Sequence, residues 1–202
     1  FLPKKRFNAL DLGCGDGSTL ELLKKLGFKK VIGVDKKKIN LKKSSSKIIF
    51  FDLDIEYFLN KKNKEKYDLI TLFDVIEHLN PEQVPSIIER CFYFLNNGGY
   101  LIIQIPNGAS IFNGVYFFGD PTHIFTYNEY SLKNMILNSG FKNENINFKE
   151  TLPVRKNIKG IIRFILWKII RLVLRSIHII ETGSAPQINT RTLICAAQKF
   201  RK

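Results

Sequence analysis

The stretch Ala9-Leu10-Asp11-Leu12-Gly13-Cys14-Gly15-Asp16-Gly17 decides the fold. An apolar run meets an acid, then three glycines at alternate positions, and a helical pattern follows at once from Ser18. Glycine takes up positive φ and lets a ligand approach bare backbone. The stretch therefore reads as a buried strand turning tightly under a nucleotide-like molecule. Its spacing is G-x-G-x-G, whereas the dinucleotide fingerprint needs G-x-G-x-x-G and aims a helix N-terminus at a pyrophosphate. An acid just before the first glycine repels a diphosphate and suits a cationic or amino-bearing ligand.

Three further apolar runs end in the same way. Val31-Ile32-Gly33-Val34 ends in Asp35, eighteen residues past Gly17, where a doubly wound sheet holds ribose hydroxyls with a carboxylate. Ile48-Ile49-Phe50-Phe51 ends in Asp52-Leu53-Asp54, and the run from Asp68 to Phe73 ends in Asp74-Val75-Ile76-Glu77-His78-Leu79. Polar groups at the carboxyl ends of four strands point to one shared crevice. Together these residues resemble the class I S-adenosylmethionine-dependent methyltransferases over roughly residues 8–142. The resemblance is to the small-molecule O-methyltransferase branch with a D-V-x-E-H-L motif, which includes ubiquinone-biosynthesis enzymes and sugar methyltransferases of surface-polysaccharide pathways. It implies an α/β fold, a doubly wound seven-stranded and mostly parallel Rossmann-like sheet, and an enzyme whose cofactor is S-adenosylmethionine.

The punctuation of the chain agrees with βαβ units. Apolar runs near 9–12, 31–34, 48–51, 67–73 and 100–105 alternate with helical patterns. One helix follows Gly17 and stops at Gly27; a second enters at Asn80-Pro81 with Gln83 as box partner and stops at Asn97-Gly98-Gly99. A third enters through Thr126 and Glu129 and stops at Gly140. These are capping-box, N1-proline and glycine-stop signals. The lysine-rich run 61–66 reads as a solvated loop. Two last strands are expected at roughly 145–153 and 192–197, separated by about forty residues. A connection of that length inside a compact domain is usually functional.

A chain of 202 residues with 45% apolar content fits one methyltransferase domain with a full core. Relatives carry one or two helices before the first strand, so the chain is expected to lack its native start. Three cysteines, Cys14, Cys91 and Cys195, form no C-x-x-C pair; this suits a reducing cytosol and argues against structural zinc. The net charge of +14 is uneven: residues 151–202 hold 11 basic side chains and a single acid, Glu181.

The resemblance also assigns residues. Gly13, Gly15 and Gly17, with Cys14 between them, form the floor beneath the methionine portion of the donor, and Asp11 meets its amino group directly or through water. Asp35 accepts both ribose hydroxyls, since a carboxylate takes two hydrogen bonds. Asp52 takes the adenine amino group with Leu53 packing nearby, Asp54 being the alternative in register, and Phe73 and Asp74 border the donor. A hydroxyl acceptor must also lose a proton, and imidazole near its free pKa removes it at neutral pH. His78 and His123 are the two candidate bases. Relatives with a similar H-x-F-T segment favour His123, in Gly119-Asp120-Pro121-Thr122-His123-Ile124-Phe125-Thr126. Asp74, Glu77 and His78 offer oxygen and nitrogen donors to a divalent ion, but they crowd one turn and no metal is expected. Neither Leu72-Phe73-Asp74-Val75 nor Ile105-Pro106-Asn107-Gly108 is the N/D-P-P-Y/F signature of enzymes that methylate exocyclic amines. That argues against base N-methylation. The aromatic segment 112–118 lines the acceptor cavity or its lid, or packs in the core.

The long connection holds a second signal. Residues 158–180 carry Lys159, Arg163, Lys168, Arg171 and Arg175 and no acid. At about 100° per residue the five cations cover half the circumference, and Ile161, Ile162, Ile165, Leu166, Ile169, Leu172 and Val173 cover the other half. Five cations make a spanning helix costly, at roughly 2.5–3.5 kcal/mol each near the bilayer centre. The pattern predicts a helical insertion at 155–190 lying in a membrane interface, basic face toward anionic headgroups, with Trp167 as boundary anchor. Packing on the domain or in a homodimer is the alternative. Nucleic acid is disfavoured, because the helix lacks aromatics interleaved for base stacking. The expected acceptor is a small or lipid-linked molecule such as a surface-glycan sugar; the alternatives are a quinone-type phenol as acceptor, or an RNA-binding protein on a methyltransferase fold. The expected location is cytoplasmic, peripheral at the inner face of the membrane.

Overall fold

In the computed structural model, residues 2–36, 48–60 and 65–200 are described. Seven strands form one sheet: β1 (Asn8–Leu12), β2 (Lys30–Asp35), β3 (Ile48–Asp52), β4 (Tyr67–Phe73), β5 (Leu95–Pro106), β6 (Ile146–Glu150) and β7 (Thr192–Gln198), in the order β3-β2-β1-β4-β5-β7-β6. β7 runs antiparallel to β5 and β6, and the other pairs are parallel. The strand order reverses between β1 and β4. That switch point is where an open α/β sheet leaves a crevice at the carboxyl ends of its strands. β4 is buried on both faces over nearly its whole length, as a central parallel strand must be.

Alternate residues of each strand feed two cores. Leu10, Leu12, Ile32, Val34, Ile70 and Leu72 join residues of three helices, α2 (Ile55–Asn60), α3 (Val84–Phe94) and α5 (Glu129–Asn138), in the larger core. Ala9, Val31 and Leu69 face the other way and meet Leu20 and Leu23 of α1 (Ser18–Lys25). Each of these leucines contributes roughly 1.5–3 kcal/mol on burial. Gly33 lets α1 sit close to the sheet, since a Cβ there would stand 2.6 Å from Leu20 Cδ1 and 2.8 Å from Cys14 Sγ.

Three helix boundaries differ from the expectations. At Asn80-Pro81 the chain first makes a turn, with the Gln83 N–H donating to the Asn80 carbonyl at 2.9 Å, and α3 begins only at Val84 with Pro85 in its first turn. α3 stops at Phe94, before the glycines, because buried Lys199 closes it. The Lys199 ammonium donates to the carbonyls of Phe92 (2.5 Å), Tyr93 (3.2 Å) and Leu95 (2.8 Å), satisfying carbonyls a helix end leaves open. α5 is capped by Asn128 and Ser131, which exchange side-chain and backbone hydrogen bonds. Thr126 donates instead to Asn113 Oδ1. The lysine-rich run lies outside the described residues at 61–64; beyond it, Lys66 is not simply solvated but donates to the Tyr93 carbonyl and lies over the Tyr93 ring.

Between β6 and β7 stands α6 (Ile158–Thr182), capped by Asn157 and ended by Gly183 at φ 77°. It meets the body along one narrow stripe of Gly160, Phe164, Trp167, Arg171, Leu174 and Arg175. Here the expected division of the helix is corrected. Arg171 pairs with Glu150 of β6 and donates to the Gln187 carbonyl at 2.7 Å, and Arg175 donates to the Pro186 carbonyl at 3.3 Å. These two cations and Trp167 face the body, so they are not part of an outward basic face. No helix among the described residues is long and apolar enough to cross a membrane.

Candidate functional site

A cleft of about 470 Å3 opens at the carboxyl ends of β1 and β2. Its walls include Gly13, Asp35, Lys36, Leu53, Asp54, His78 and Ile124. A larger hollow of about 810 Å3 lies at the opposite end of the sheet. Its one acid, Asp68, is committed to the N–H groups of Phe7 and Asn8 and to the Asn96 amide. The first cleft is therefore the candidate site.

The glycine turn is built as its spacing requires. Gly13, Gly15 and Gly17 all have positive φ, and at Gly13 a Cβ would stand 2.4 Å from Val75 Cγ2. Asp35 Oδ2 accepts the Gly15 N–H at 2.8 Å, which ties the end of β2 to the turn. The Cys14 side chain is turned into the core, and burial pushes its thiol up to about 12, so only its backbone belongs to the turn. Asp11 is buried at 1% exposure; Oδ1 accepts the Thr71 hydroxyl at 2.5 Å, while buried Oδ2 lacks a partner. Burial pushes the Asp11 carboxyl up to about 7, against the lowering effect of the Thr71 bond and with the Asp35 charge adding to the rise.

At the end of β3 the structure places Leu53 and Asp54, not Asp52, on the cleft wall. Asp52 pairs in register with Asp35 on the edge strand. Asp54 caps α2 through the Tyr57 N–H at 3.0 Å and pairs with Lys36 at 2.8 Å. Phe73 and Asp74 end β4 but do not line this cleft. Asp74 holds φ 54°, the sole non-glycine residue at positive φ among those described, and is latched by Gln104 of β5 through both backbone and side chain at 2.9 Å.

The two candidate histidines come together. Their ring centroids lie 4.7 Å apart, although 45 positions separate them, because the Glu77 carbonyl accepts the N–H groups of Ile124 (2.7 Å) and Phe125 (3.2 Å). His78 Nδ1 contacts the Thr122 hydroxyl at 2.9 Å and the Thr122 carbonyl at 3.2 Å. The Thr122 hydroxyl gives its only proton to Asp120 Oδ1 at 2.6 Å, and a carbonyl only accepts. His78 Nδ1 must therefore be the donor, which leaves the lone pair on Nε2. His123 Nδ1 likewise donates to the Phe117 carbonyl at 3.0 Å. Phe117 belongs to the short helix α4 (Asn113–Phe117), and its ring stacks on His123 at 5.7 Å. α4 buries none of its residues, so the segment 112–118 is not core.

Beneath the histidines lies a signal that the sequence did not show, the burial of Glu77. Glu77 is buried at 1% exposure with neither carboxyl oxygen partnered, and burial pushes it up to about 8. The Tyr127 hydroxyl is also buried without a partner, and burial with the Glu77 charge pushes it up to about 12. Glu77, His78 and His123 offer three ligand atoms within 4.8 Å of one another. This set, rather than Asp74, Glu77 and His78, fits a divalent ion: one anionic oxygen and two imidazole nitrogens, with an orphaned carboxyl among them.

The fold and this cleft agree with what the chain is similar to. A family model described as a methyltransferase domain matches residues 1–146. The chain belongs to the S-adenosylmethionine-dependent methyltransferases. It is 30% identical over 122 residues to a mitochondrial ubiquinone biosynthesis O-methyltransferase of Dictyostelium discoideum, covering 52% of this chain and 37% of that protein. It is 21% identical over 180 residues to the tRNA N(3)-methylcytidine methyltransferase Mettl2 of Drosophila melanogaster, covering 78% and 55%. The chain thus spans about a third to a half of these curated relatives. A methyltransferase from Archaeoglobus fulgidus shares the fold with a TM-score of 0.70 at 22% identity, over 97% of this chain and 87% of that one. The N-methyltransferase NodS of Bradyrhizobium japonicum, in complex with S-adenosyl-L-homocysteine, superposes with a TM-score of 0.57 at 16% identity over 96% and 78%.

Proposed function

We propose that this methyltransferase moves the methyl group of S-adenosylmethionine to a hydroxyl of a small or lipid-linked acceptor, such as a sugar of a surface glycan, at the cytoplasmic face of a membrane. The observation that carries the reading is the pair of Nε2 lone pairs on His78 and His123 beside the donor cleft. When bound, the donor supplies a methyl group on a positively charged sulfur, which leaves as a neutral thioether.

The chain's own residues do the rest. The turn 13–17 supports the methionine portion, Asp11 Oδ2 meets its ammonium, and Asp35 receives the ribose hydroxyls. The acceptor oxygen attacks the methyl carbon in line, the carbon–sulfur bond breaks, and the acceptor proton passes to His Nε2. Asp120 and Thr122 hold His78 in the required tautomer, and the Phe117 carbonyl does so for His123. A divalent ion held by Glu77, His78 and His123 would occupy those Nε2 lone pairs in place of the proton; it would then act by lowering the pKa of the acceptor hydroxyl, whose proton would pass to water.

A quinone-type phenol is the second reading, favoured by the name of the Dictyostelium relative. A phenol, with a pKa of about 10, yields its proton to imidazole more readily than a sugar alcohol does. Labelled-methyl transfer to nucleotide sugars, polyprenol-linked sugars and catechols, each with and without a chelator, tests both. A methyl ether on any of them supports hydroxyl transfer. Methylation of RNA or amines alone contradicts it.

A further inference from the structure

Apart from its stripe against the body, α6 is bare. Ile158, Ile161, Ile162, Ile165, Ile169 and Leu172 share the side opposite that stripe, and exposure of the helix's outward aliphatics runs from 46% at Ile161 to 85% at Ile180. A water-soluble monomer rarely leaves so continuous an apolar face uncovered. At about 100° per residue, Lys159 and Arg163 flank this face on one side and Lys168 on the other, all three exposed. Arg171 and Arg175 are withdrawn to Glu150 and to the carbonyls of Gln187 and Pro186.

We infer that α6 is a monotopic docking helix that lies flat on an anionic phospholipid surface with its apolar face down. The aliphatic side chains enter the acyl boundary, and Lys159, Arg163 and Lys168 meet phosphates at the level of the headgroups. Charge complementarity selects lipid over a second copy of the chain. Both flanks of the face are cationic, and the helix has one acid, Glu181, in its last turn. The helix therefore carries a net positive charge, which a second copy would repeat and a phosphate surface neutralises. A cleft of about 490 Å3 lies between α6 and the α4 segment, with Arg163 and Trp167 on one wall and Phe112 and Tyr116 on the other. The inference deepens the membrane-surface part of the proposed function and rests on it only for the nature of the acceptor.

Flotation with phosphatidylcholine vesicles, with and without phosphatidylglycerol, tests it on the full chain. The chain is expected to float with the mixed vesicles. Ile165→Glu with Ile169→Glu, both at exposed positions, should lower the bound fraction at least about tenfold, and Lys159→Gln with Arg163→Gln and Lys168→Gln should do so for the mixed vesicles. Donor affinity should not change in either variant, which separates failure of docking from failure of the methyltransferase site. Orientation is read by fluorescence with lipids brominated in the acyl chain. Trp167, the only tryptophan, faces the body and should escape quenching, whereas the emission of Trp167→Phe with Ile169→Trp should be quenched. Absence of vesicle binding, binding indifferent to Ile165→Glu with Ile169→Glu, quenching of Trp167, or a solution dimer abolished by those glutamates without any vesicle binding would each overturn the inference.

Discussion

The rings of His78 and His123 stand 4.7 Å apart, and each commits Nδ1 to a fixed acceptor so that Nε2 carries the lone pair. Two such nitrogens over a buried carboxyl act as one unit. His78→Ala and His123→Ala should each lower turnover by roughly 10²-fold or more, the usual scale for positioned proton transfer. The double variant should be little worse than the weaker single, because residues in one network are not additive. Donor affinity should hardly move. One histidine without effect would assign the proton transfer to the other ring, and full additivity would mean that the two act independently.

Glu77 makes a prediction about how the stability of the domain follows pH. Burial lifts its carboxyl from an ordinary 4.5 to about 8. Between those values the folded state keeps a proton that the unfolded chain has released, so stability is full at the acid end and falls as pH rises through the window. Thermal unfolding followed from about pH 5 to pH 8 should show the midpoint falling. Glu77→Gln should flatten that fall and leave the domain more stable at the alkaline end. A midpoint that climbs with pH would contradict the burial of an unpartnered carboxyl.

Asp11 predicts the opposite trend for ligand affinity. Its carboxyl, lifted to about 7 by burial, must ionise to meet an ammonium at Oδ2. S-adenosylmethionine should therefore bind more tightly as pH rises through about 7 and level off above it. Asp11→Asn should bind weakly at every pH, with that slope gone. Calorimetric titration at several pH values reads both.

Two glycines separate the turn from the packing behind it. Gly13→Ala forces a Cβ to 2.4 Å from Val75 at φ 74°, so it should destroy donor binding as well as stability. Gly33→Ala overpacks Leu20 and Cys14 and should destabilise by about 1–3 kcal/mol while leaving donor affinity within about threefold. Equal losses of affinity in the two variants would mean that the turn has no special part in binding.

The glycine turn and its acids were legible because strand, acid and turn are local. Asp11, Gly13 and Asp35 stand at the ends of β1 and β2, as their spacing puts them. The histidine pair was not legible. His78 and His123 meet only through backbone hydrogen bonds from Ile124 and Phe125 to Glu77, which no periodicity displays. The burial of Glu77 itself depends on residues far away in sequence. Asp52 and Asp54 differ by two positions, and which of them reaches the cleft depends on where the edge strand ends and α2 begins. Helical periodicity showed that α6 is amphipathic. It could not show that Arg171 and Arg175 face inward, because that depends on Glu150 and on two carbonyls after the helix.

The central claim is that the cleft beside Asp35 holds S-adenosylmethionine, and calorimetric titration of the wild type against Asp35→Ala tests it most directly. Hydrogen bonds to a charged group are worth roughly 1.5–3 kcal/mol each, so loss of this carboxylate should weaken binding at least tenfold, with circular dichroism unchanged. Equal affinity in the two proteins, or no binding by the wild type, would contradict the account.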